Sequence, residues 1–367
     1  MSGESKGIQG EIGNSAGDTA GTGAGSGSGS SVASAVVVTG LASDQAGMAS
    51  NAVTPMVNAW GIVSYQGAFW IANNATGKVS IVDGKGVAAT GKIASNSIDL
   101  GEGITGVAVT DLAKDDTTSF QIHGDTACAP AQLIFAREDG KLIGFNADMS
   151  ATAGFTLVDR SGSDASYLGV AVLHGAKGPM VLAADFHNAR VDVFDANFSL
   201  VENFKLEVPS LPADFAPFNV MVIGDKIFVA FAKQDAAKAD EVAGPGLGLI
   251  AAFDSSGKLL GTVKSDLLNA PWGMAMSRDF TPFPNALLVG NFGDGHITAI
   301  DTTNFTVLGQ LMDATGKPVV LEGLWGLAFG VDVTNLMAGG LYFASGPGDE
   351  MHGLFGVISA APTTPSM

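Results

Sequence analysis

The chain has 367 residues, of which 46% are hydrophobic and only 15% charged, and a closed all-β architecture can hold that length in one domain. Lys and Arg number 18 against 36 Asp and Glu, a net charge of -18 at pH 7, which repels phosphate backbones and excludes nucleic acid as an expected partner. Cys128 is the only cysteine, which excludes an intramolecular disulfide and a multi-cysteine metal site. No apolar run approaches the roughly 18 residues that span a bilayer, so we expect no transmembrane segment.

Residues 1–35 are almost entirely small and polar, and we expect a disordered Gly/Ser-rich tether that cannot bury enough apolar area to fold. The segment resembles the stretch after the lipidated cysteine of bacterial lipoproteins, with Met1 in place of that cysteine. A plain linker or a cloning leader is the alternative. A tether favours display outside the cytoplasm, so we expect an extracytoplasmic, monomeric protein, with a lipid anchor on the native N-terminus under the lipoprotein interpretation.

A short apolar segment recurs six times along the chain, about every 53 residues, and such a period indicates a repeat architecture. The six copies are WGIV (60–63), TGVAV (105–109), LGVAV (168–172), FNVMV (218–222), WGMAM (272–276) and WGLAF (325–329). Each copy is followed by a continuous apolar segment, a polar turn and an alternating segment, the pattern of an inner, a second and a third strand. Four short strands per repeat predict an all-β, six-bladed β-propeller with four-stranded blades.

The propeller is predicted to span residues 36–360, followed by a C-terminal tail at 361–367. The last repeat lacks a clear fourth strand, whereas residues 36–41 (VVVTGL) precede the first repeat without a blade of their own. We expect this N-terminal strand to complete the last blade and close the ring. The small residue in each first strand, such as Gly61 or Gly326, is expected to allow close backbone approach around the axis.

Several longer motifs resemble an uncharacterised bacterial and fungal propeller family close to the NHL-repeat and gluconolactonase-type six-bladed propellers. The motifs are NAWGI (58–62), FWIANNATG (69–77), AADFHNARVDVFD (183–195), APFNV (216–220), AKQD (232–235), GPGLG (244–248), NAPWGMA (269–275), LLVGNFGDG (287–295), GLWGLAFG (323–330) and GPGDEMHGLFG (346–356). The resemblance implies a six-bladed fold and an exported location. It implies no established activity and no catalytic residue.

In a propeller, the loops that enter the inner strands and the turns that follow the second strands lie on one face, and loops on a rigid scaffold commonly carry function. We therefore expect a polar funnel with a floor of aromatic rings at this face. We expect the funnel to bind a small-molecule or glycan ligand. The predicted ligand-binding residues are Asn58, Trp60, Asn73, Arg137, Asp185, His187, Lys233, Gln234, Asp235, Asn269, Trp272, Asn291, Asp294, Trp325, Asp349, Glu350 and His352. Tight turns and packing between blades also account for many of these residue types.

The alternative function is a divalent-metal-dependent hydrolase of lactones or related esters. By resemblance to gluconolactonase-type propellers, the residues that directly follow second strands, Asn73, Asp185, Asn291 and Ser345, would bind calcium or magnesium through hard oxygen ligands. Only one of the four is a carboxylate, and Arg137 at a matching position would repel a cation. No nucleophile elbow or phosphate-binding loop occurs in the sequence, so we favour the binding function.

The fourth repeat carries a long excursion between its second and third strands, KQDAAKADEVAGPGLG. Loops of this length in a regular fold are commonly functional or disordered. Lys233, Gln234 and Asp235 follow the strand directly and are expected to face the funnel. The alanine-rich residues 236–242 are expected to lie further out, where they form either a lid or a simple surface insertion.

Overall fold

Six sheets of three to five mainly antiparallel strands and one separate two-stranded hairpin make up a computed structural model that describes residues 35–89, 98–125, 127–176 and 178–362. All of these residues belong to one unit, Ser34–Met367. Among them, the only helical element is a short 3₁₀ turn at Ser161–Ser163. No helix in this part of the chain has the length and apolar character that crossing a membrane requires.

The strands are short, as the spacing of the turn residues requires. In chain order they are β1 (Val36–Ser43), β2 (Asn51–Ala52), β3 (Ala59–Tyr65), β4 (Ala68–Asn73), β5 (Lys78–Val82), β6 (Ile98–Asp99), β7 (Ile104–Val109), β8 (Gln121–His123), β9 (Cys128–Pro130), β10 (Leu133–Arg137), β11 (Lys141–Phe145), β12 (Phe155–Asp159), β13 (Tyr167–Gly175), β14 (Gly178–Asp185), β15 (Arg190–Phe194), β16 (Phe215–Ile223), β17 (Lys226–Lys233), β18 (Gly248–Asp254), β19 (Leu259–Val263), β20 (Pro271–Met276), β21 (Leu287–Asn291), β22 (Ile297–Asp301), β23 (Thr306–Gln310), β24 (Leu324–Phe329), β25 (Leu341–Ser345) and β26 (Leu354–Ala360).

These strands form the six blades that the repeat predicts, and the all-β six-bladed propeller is confirmed. Blade 1 is β3–β6, blade 2 is β7 with β10–β12, and blade 3 is β13–β15. Blade 4 is β16–β19, blade 5 is β20–β23, and blade 6 contains β24–β26. In blade 3 the outermost position is held by a single bridge between Phe194 and Leu200, and β8 with β9 forms a separate hairpin.

The N-terminal strand closes the ring, as the sequence predicts. β1 pairs antiparallel with β26, from Val36 opposite Ala360 to Ser43 opposite Leu354, and so supplies the outer strand of blade 6. Val36 is 2% exposed and packs in the core between the last two blades. The first and last strands of the propeller are therefore held together by an antiparallel ladder with one register shift between Gly40 and Ala42, and this pairing joins two otherwise free sheet edges.

The inner strands approach one another closely, because glycine stands where they meet. A Cβ on Gly61 would lie 2.6 Å from the Thr105 carbonyl oxygen of blade 2, and one on Gly106 would lie 2.9 Å from the Gly169 Cα of blade 3. In blade 4 the equivalent residue is Asn219, and its Nδ2 donates a 2.8 Å hydrogen bond to the Trp272 carbonyl of blade 5. Small residues therefore allow the predicted close approach of the inner strands, and in blade 4 the Asn219 side chain replaces glycine and hydrogen-bonds across the gap.

The predicted N-terminal tether and the predicted C-terminal tail lie largely outside the residues that the structure describes. Residues 1–34 of the predicted tether and residues 363–367 of the predicted tail lie outside the described residues. Their predicted disorder stays a prediction.

Gly61→Ala is expected to lower the free energy of unfolding by about 1–3 kcal/mol, since the added methyl group must push two inner strands apart. Urea unfolding of the purified variant measures this change. Gly162→Ala is the matched control, because a Cβ there meets no atom within 4 Å. Equal losses in the two variants would contradict a steric role for glycine at the axis.

Candidate functional site

One end of the propeller carries a cavity of about 670 Å³, to which all six blades contribute. It lies where inner strands begin and second strands end, as the pairing of Ala59 with Asn73 shows for blade 1. We call this cavity the funnel. Its lining residues are Trp60, Glu138, Asp139, Ser161, Asp164, Ala165, Ser166, Leu168, His187, Lys238, Ala239, Asp240, Glu241, Phe292, Trp325 and Glu350.

Stacked aromatic rings form the floor of the funnel. Trp325 stacks on Trp60, with ring centroids 3.5 Å apart, and on Phe292, with centroids 4.0 Å apart. Trp272 meets both tryptophans edge-on and lines a separate, mostly apolar cavity of about 240 Å³ along the inner strands. The aromatic cluster therefore borders both cavities.

The sequence places these rings by a simple local rule. Each tryptophan directly precedes an inner-strand glycine, so the glycine packs against the next blade while the indole covers the end of the channel. Trp272 Nε1 donates to the Leu168 carbonyl at 3.1 Å. Trp325 Nε1 donates to Asn58 Oδ1 at 3.1 Å, and Asn58 has a positive φ of 51°. Asn58 thus acts from beneath the floor and is only 4% exposed.

Carboxylates dominate the wall above the floor. Burial, together with the nearby Glu350 and Asp240, raises the pKa of Glu241 to about 7. Burial also raises the pKa of Glu350, and the nearby Glu138 and Asp240 act in the same direction. Partial desolvation raises the pKa of Glu138, although its carboxylate accepts a 2.8 Å hydrogen bond from Asn74 Nδ2. These acids disfavour each other's charge, as like charges in a shared cavity must.

The excursion of blade 4 supplies part of this wall, but not in the predicted order. Lys238, Ala239, Asp240 and Glu241 line the funnel, so the expectation that the alanine-rich part lies further out is wrong. The reason is that the backbones of Gln234 and Glu241 form an isolated antiparallel β-bridge. In addition, Asp235 Oδ1 accepts hydrogen bonds from the backbone N–H groups of residues 239 and 240. These contacts fold the loop back over the funnel.

The three residues that were expected to face the funnel from this loop, Lys233, Gln234 and Asp235, are absent from its lining. Lys233 Nζ lies 3.3 Å from Asp214 Oδ2. Gln234 is 5% exposed, and its Nε2 donates a 2.6 Å hydrogen bond to the Phe186 carbonyl of blade 3. This amide connects two blades and supports the loop from below.

The four predicted metal ligands are buried at the ends of their second strands, and none of them lines the funnel. Asp185 accepts hydrogen bonds from the Ser166 and Asn188 backbone and from Asn188 Nδ2. Asn291 Oδ1 accepts from the Asn269 N–H. Asn73 Nδ2 donates to the Lys78 carbonyl and to Ser80, while its Oδ1 is buried without a hydrogen-bond partner.

With Asp185 and Asn291 engaged in their own blades, these residues and Ser345 offer calcium or magnesium few free oxygens. Among the described residues, no three His, Cys, Asp or Glu side chains converge in a way that could hold a metal ion. The donor set therefore fits a divalent cation poorly. Calcium or magnesium binding stays a prediction from the sequence.

The other predicted ligand-binding residues divide between the funnel and its supports. Trp60, His187, Trp325 and Glu350 line the funnel, and His187 Nδ1 lies 3.2 Å from the Lys238 carbonyl oxygen. Four more lie outside the lining: Arg137 donates to the lining residue Asp139, Asn269 donates to Asp294, and His352 Nδ1 lies 3.0 Å from Asp44 Oδ2. Asp349 is exposed, with a positive φ of 51°, next to Glu350 with φ of 63°.

Sequence reasoning missed most of the acidic wall. Asp164, Lys238, Asp240, Glu241 and Phe292 line the funnel without having been predicted. For Asp240 and Glu241 the available signal was Asp235, because aspartate commonly accepts hydrogen bonds from backbone N–H groups a few residues further on and reverses the chain. The bridge between blades through Gln234 gives no sequence signal.

Comparisons with known proteins bear on the fold more than on the activity. An uncharacterized protein of Acanthamoeba polyphaga mimivirus is 27% identical over 298 residues, 78% of this chain and 72% of that protein. Two further relatives come from the same virus, so the expected bacterial or fungal family is not supported. No family model matches the chain.

Solved structures share the propeller fold at low sequence identity. A protein of unknown function from Bacteroides thetaiotaomicron has a TM-score of 0.55 at 13% identity, over 89% of this chain and 76% of that one. A streptogramin B lyase has a TM-score of 0.51 at 12% identity, over 89% and 97%. A gluconolactonase from Xanthomonas campestris reaches only 0.47 at 18% identity, over 72% and 79%, and it carries no argument here.

Glu241 is expected to make the protein less stable as pH rises. Between pH about 4.5 and 7 the folded protein keeps a proton on Glu241 that the unfolded chain has released, so the free energy of unfolding falls through this range and levels off above it. Glu241→Gln is expected to remove this part of the pH dependence. At pH 8 the free energy of unfolding of the variant should exceed that of the parent by on the order of 1–2 kcal/mol. Urea unfolding at a series of pH values measures both profiles.

At pH 4 the parent and the Gln variant are expected to agree closely, because the glutamate is then neutral in both states. Glu202→Gln, which changes an exposed glutamate outside the funnel, is the control and should keep the parental slope. Parallel profiles for the parent and Glu241→Gln would show that Glu241 titrates normally in the folded protein.

Proposed function

We propose that this protein is a binding propeller that holds a small polar or carbohydrate-like ligand in the funnel without transforming it. The observation that carries the proposal is one cavity of about 670 Å³ with contributions from all six blades, an aromatic floor and a charged wall. Ligand sites commonly combine a concave shape of this size, apolar surface and a few convergent polar groups. Aromatic rings below and polar groups above also suit the two faces of a sugar ring.

The construction of the funnel supports a role in binding. Trp325 is fixed by stacking on both faces and by its hydrogen bond to Asn58, so the floor is rigid before a ligand arrives. The wall includes Glu350, whose backbone has a positive φ of 63°. Backbone conformations of this kind cost free energy, and they are concentrated at ligand sites. A preformed site loses less entropy when it binds.

A hydrolase of lactones or related esters is the second candidate. The pKa of Glu241 is raised to about 7, and a carboxyl group with such a pKa can accept or donate a proton at neutral pH. His187 lines the same funnel. The binding function is preferred because the four residues predicted to hold a catalytic cation are buried within their blades and lie outside the funnel.

The cellular setting is a proposal from the sequence alone. We retain extracytoplasmic display, a lipid anchor on the native N-terminus and a monomeric state as predictions. The funnel does not depend on any of them.

Ala239→Trp provides a direct test of the site, because Ala239 is an exposed residue of the funnel lining and a large ring there should fill the cavity. Thermal unfolding is measured against a panel of monosaccharides, disaccharides, amino sugars, polyols and amines. Members that bind the folded parent raise its melting temperature. We expect this increase to be lost in Ala239→Trp and kept in Ala237→Trp, which changes an exposed residue of the same loop outside the lining.

Mass spectrometry of the recovered compounds should find them unchanged. An increase that persists in Ala239→Trp would place the site elsewhere and contradict the proposal. Hydrolysis of lactones or esters that is lost in Ala239→Trp would establish the second candidate.

A further inference from the structure

The wall of the funnel carries much more negative than positive charge. Glu138 comes from blade 2, Asp164 from the turn before β13 of blade 3, Asp240 and Glu241 from blade 4, and Glu350 from blade 6. Lys238 and His187 are the basic side chains among the lining residues. Asp139 also lines the funnel, but its carboxylate is paired with Arg137 at 3.0 Å and with Lys141 at 2.6 Å. Five carboxyl groups therefore remain around the cavity with one lysine and one histidine.

The distribution of these acids bears on what they can bind. They surround the cavity from four blades, and no three acidic or histidine side chains in the described part of the chain converge as metal ligands do. A divalent cation needs six or more oxygen atoms within about 2.6 Å. A larger organic cation can instead interact with several carboxylates at its periphery.

The floor adds a second attraction for such a cation. Trp60, Trp325 and Phe292 form one stack at the bottom of the funnel, and all three line it. The face of an aromatic ring attracts an ammonium group, and indole attracts it most strongly. Acidic walls and an aromatic floor therefore favour the same class of ligand.

An independent observation, the indole N–H of Trp60, bears on the polar part of the ligand. Trp60 is 5% exposed and lines the funnel, yet its Nε1–H is buried without a hydrogen-bond partner among the described residues. A buried indole N–H usually has a partner. Since this group is only a donor, the missing partner must carry an acceptor such as a hydroxyl or carbonyl oxygen.

We propose that the ligand is an organic ammonium compound that also carries a hydroxyl or carbonyl oxygen, such as an amino sugar or an amino alcohol. The ammonium group lies among Glu138, Glu241 and Glu350, and the oxygen accepts from Trp60. This proposal rests on the proposed binding function and specifies its ligand.

Isothermal titration at pH 7.5 with two matched pairs of probes tests the charge requirement. Glucosamine is compared with N-acetylglucosamine, and choline with its neutral carbon analogue 3,3-dimethyl-1-butanol. At pH 7.5 choline is fully charged, most glucosamine molecules carry a protonated amine, and Glu241, with a pKa of about 7, is mostly ionised. In at least one pair, the cationic member should bind at least about 10-fold more tightly than the neutral member, the change that one ionic hydrogen bond or cation–π contact produces.

Variants of the wall test its location. Glu241→Gln and Glu350→Gln each remove one charge with little change in shape, and each should weaken the cationic probe about 10-fold while leaving its neutral partner unchanged. Glu202→Gln, outside the funnel, should bind the cationic probe as the parent does. Trp60→Phe, which keeps a ring but removes the N–H, should weaken glucosamine and choline alike.

The possible failures are distinguishable. Equal binding of the charged and neutral members, abolished by Ala239→Trp, would overturn the ammonium ligand and leave the binding function standing. If neither cationic probe binds with a dissociation constant of about 10 mM or lower, roughly 3 kcal/mol of binding free energy, the ammonium ligand is overturned. The binding function is then decided by the broader panel of compounds. Binding of calcium alone, lost in Glu241→Gln, would assign the acids to a metal and contradict the proposal.

Discussion

The close approach of the inner strands around one axis is the constraint on which the rest of the structure depends. Where blades 1 and 2 meet, Gly61 leaves no room for a Cβ, since the Thr105 carbonyl and the Val107 N–H are in the way. Blade 4 meets the same constraint differently, because Asn219 donates to the Trp272 carbonyl across the gap. The ring can be this narrow only because these positions are small or hydrogen-bonded to the neighbouring strand.

A narrow ring also explains why one end can be closed by a few side chains. Three of the six glycine or asparagine positions follow a tryptophan, and the three indoles meet at the end of the channel. Trp325 then serves as the base on which Trp60 and Phe292 stack. The same Trp-Gly dipeptide therefore builds the axis and the floor of the funnel. The floor is a consequence of the fold, whereas the acidic wall is added by the loops.

Sequence reasoning reached the fold because the propeller depends on local and repeated signals. Apolar second strands, alternating third strands and inner-strand glycines recur with each blade, and the unpaired strand at Val36–Ser43 had one blade left to complete. Trp60 and Trp325 of the funnel could also be predicted from the sequence, because they occupy equivalent places in the repeat. Position in a blade determines on which end of the ring a side chain lies.

The wall of the funnel could not be read in the same way, since it depends on contacts between blades. The blade 4 loop is folded inward by the cap at Asp235 and by the bond from Gln234 to Phe186, which brings Glu241 rather than Lys233 to the cavity. Conversely, Asp185 and Asn291 have the residue types of cation ligands, but local hydrogen bonds engage them within or beside their own turns. A residue type suggests a chemistry, and its neighbours decide whether the chemistry is available.

A crystal structure of the protein grown with glucosamine tests most directly whether floor and wall form one ligand site. The account predicts glucosamine in the funnel, with its ammonium group among Glu138, Glu241 and Glu350 and an oxygen within hydrogen-bond distance of Trp60 Nε1. Glucosamine bound only outside the funnel, or a funnel that holds only water in crystals grown with saturating glucosamine and in crystals grown with saturating choline, would contradict the account.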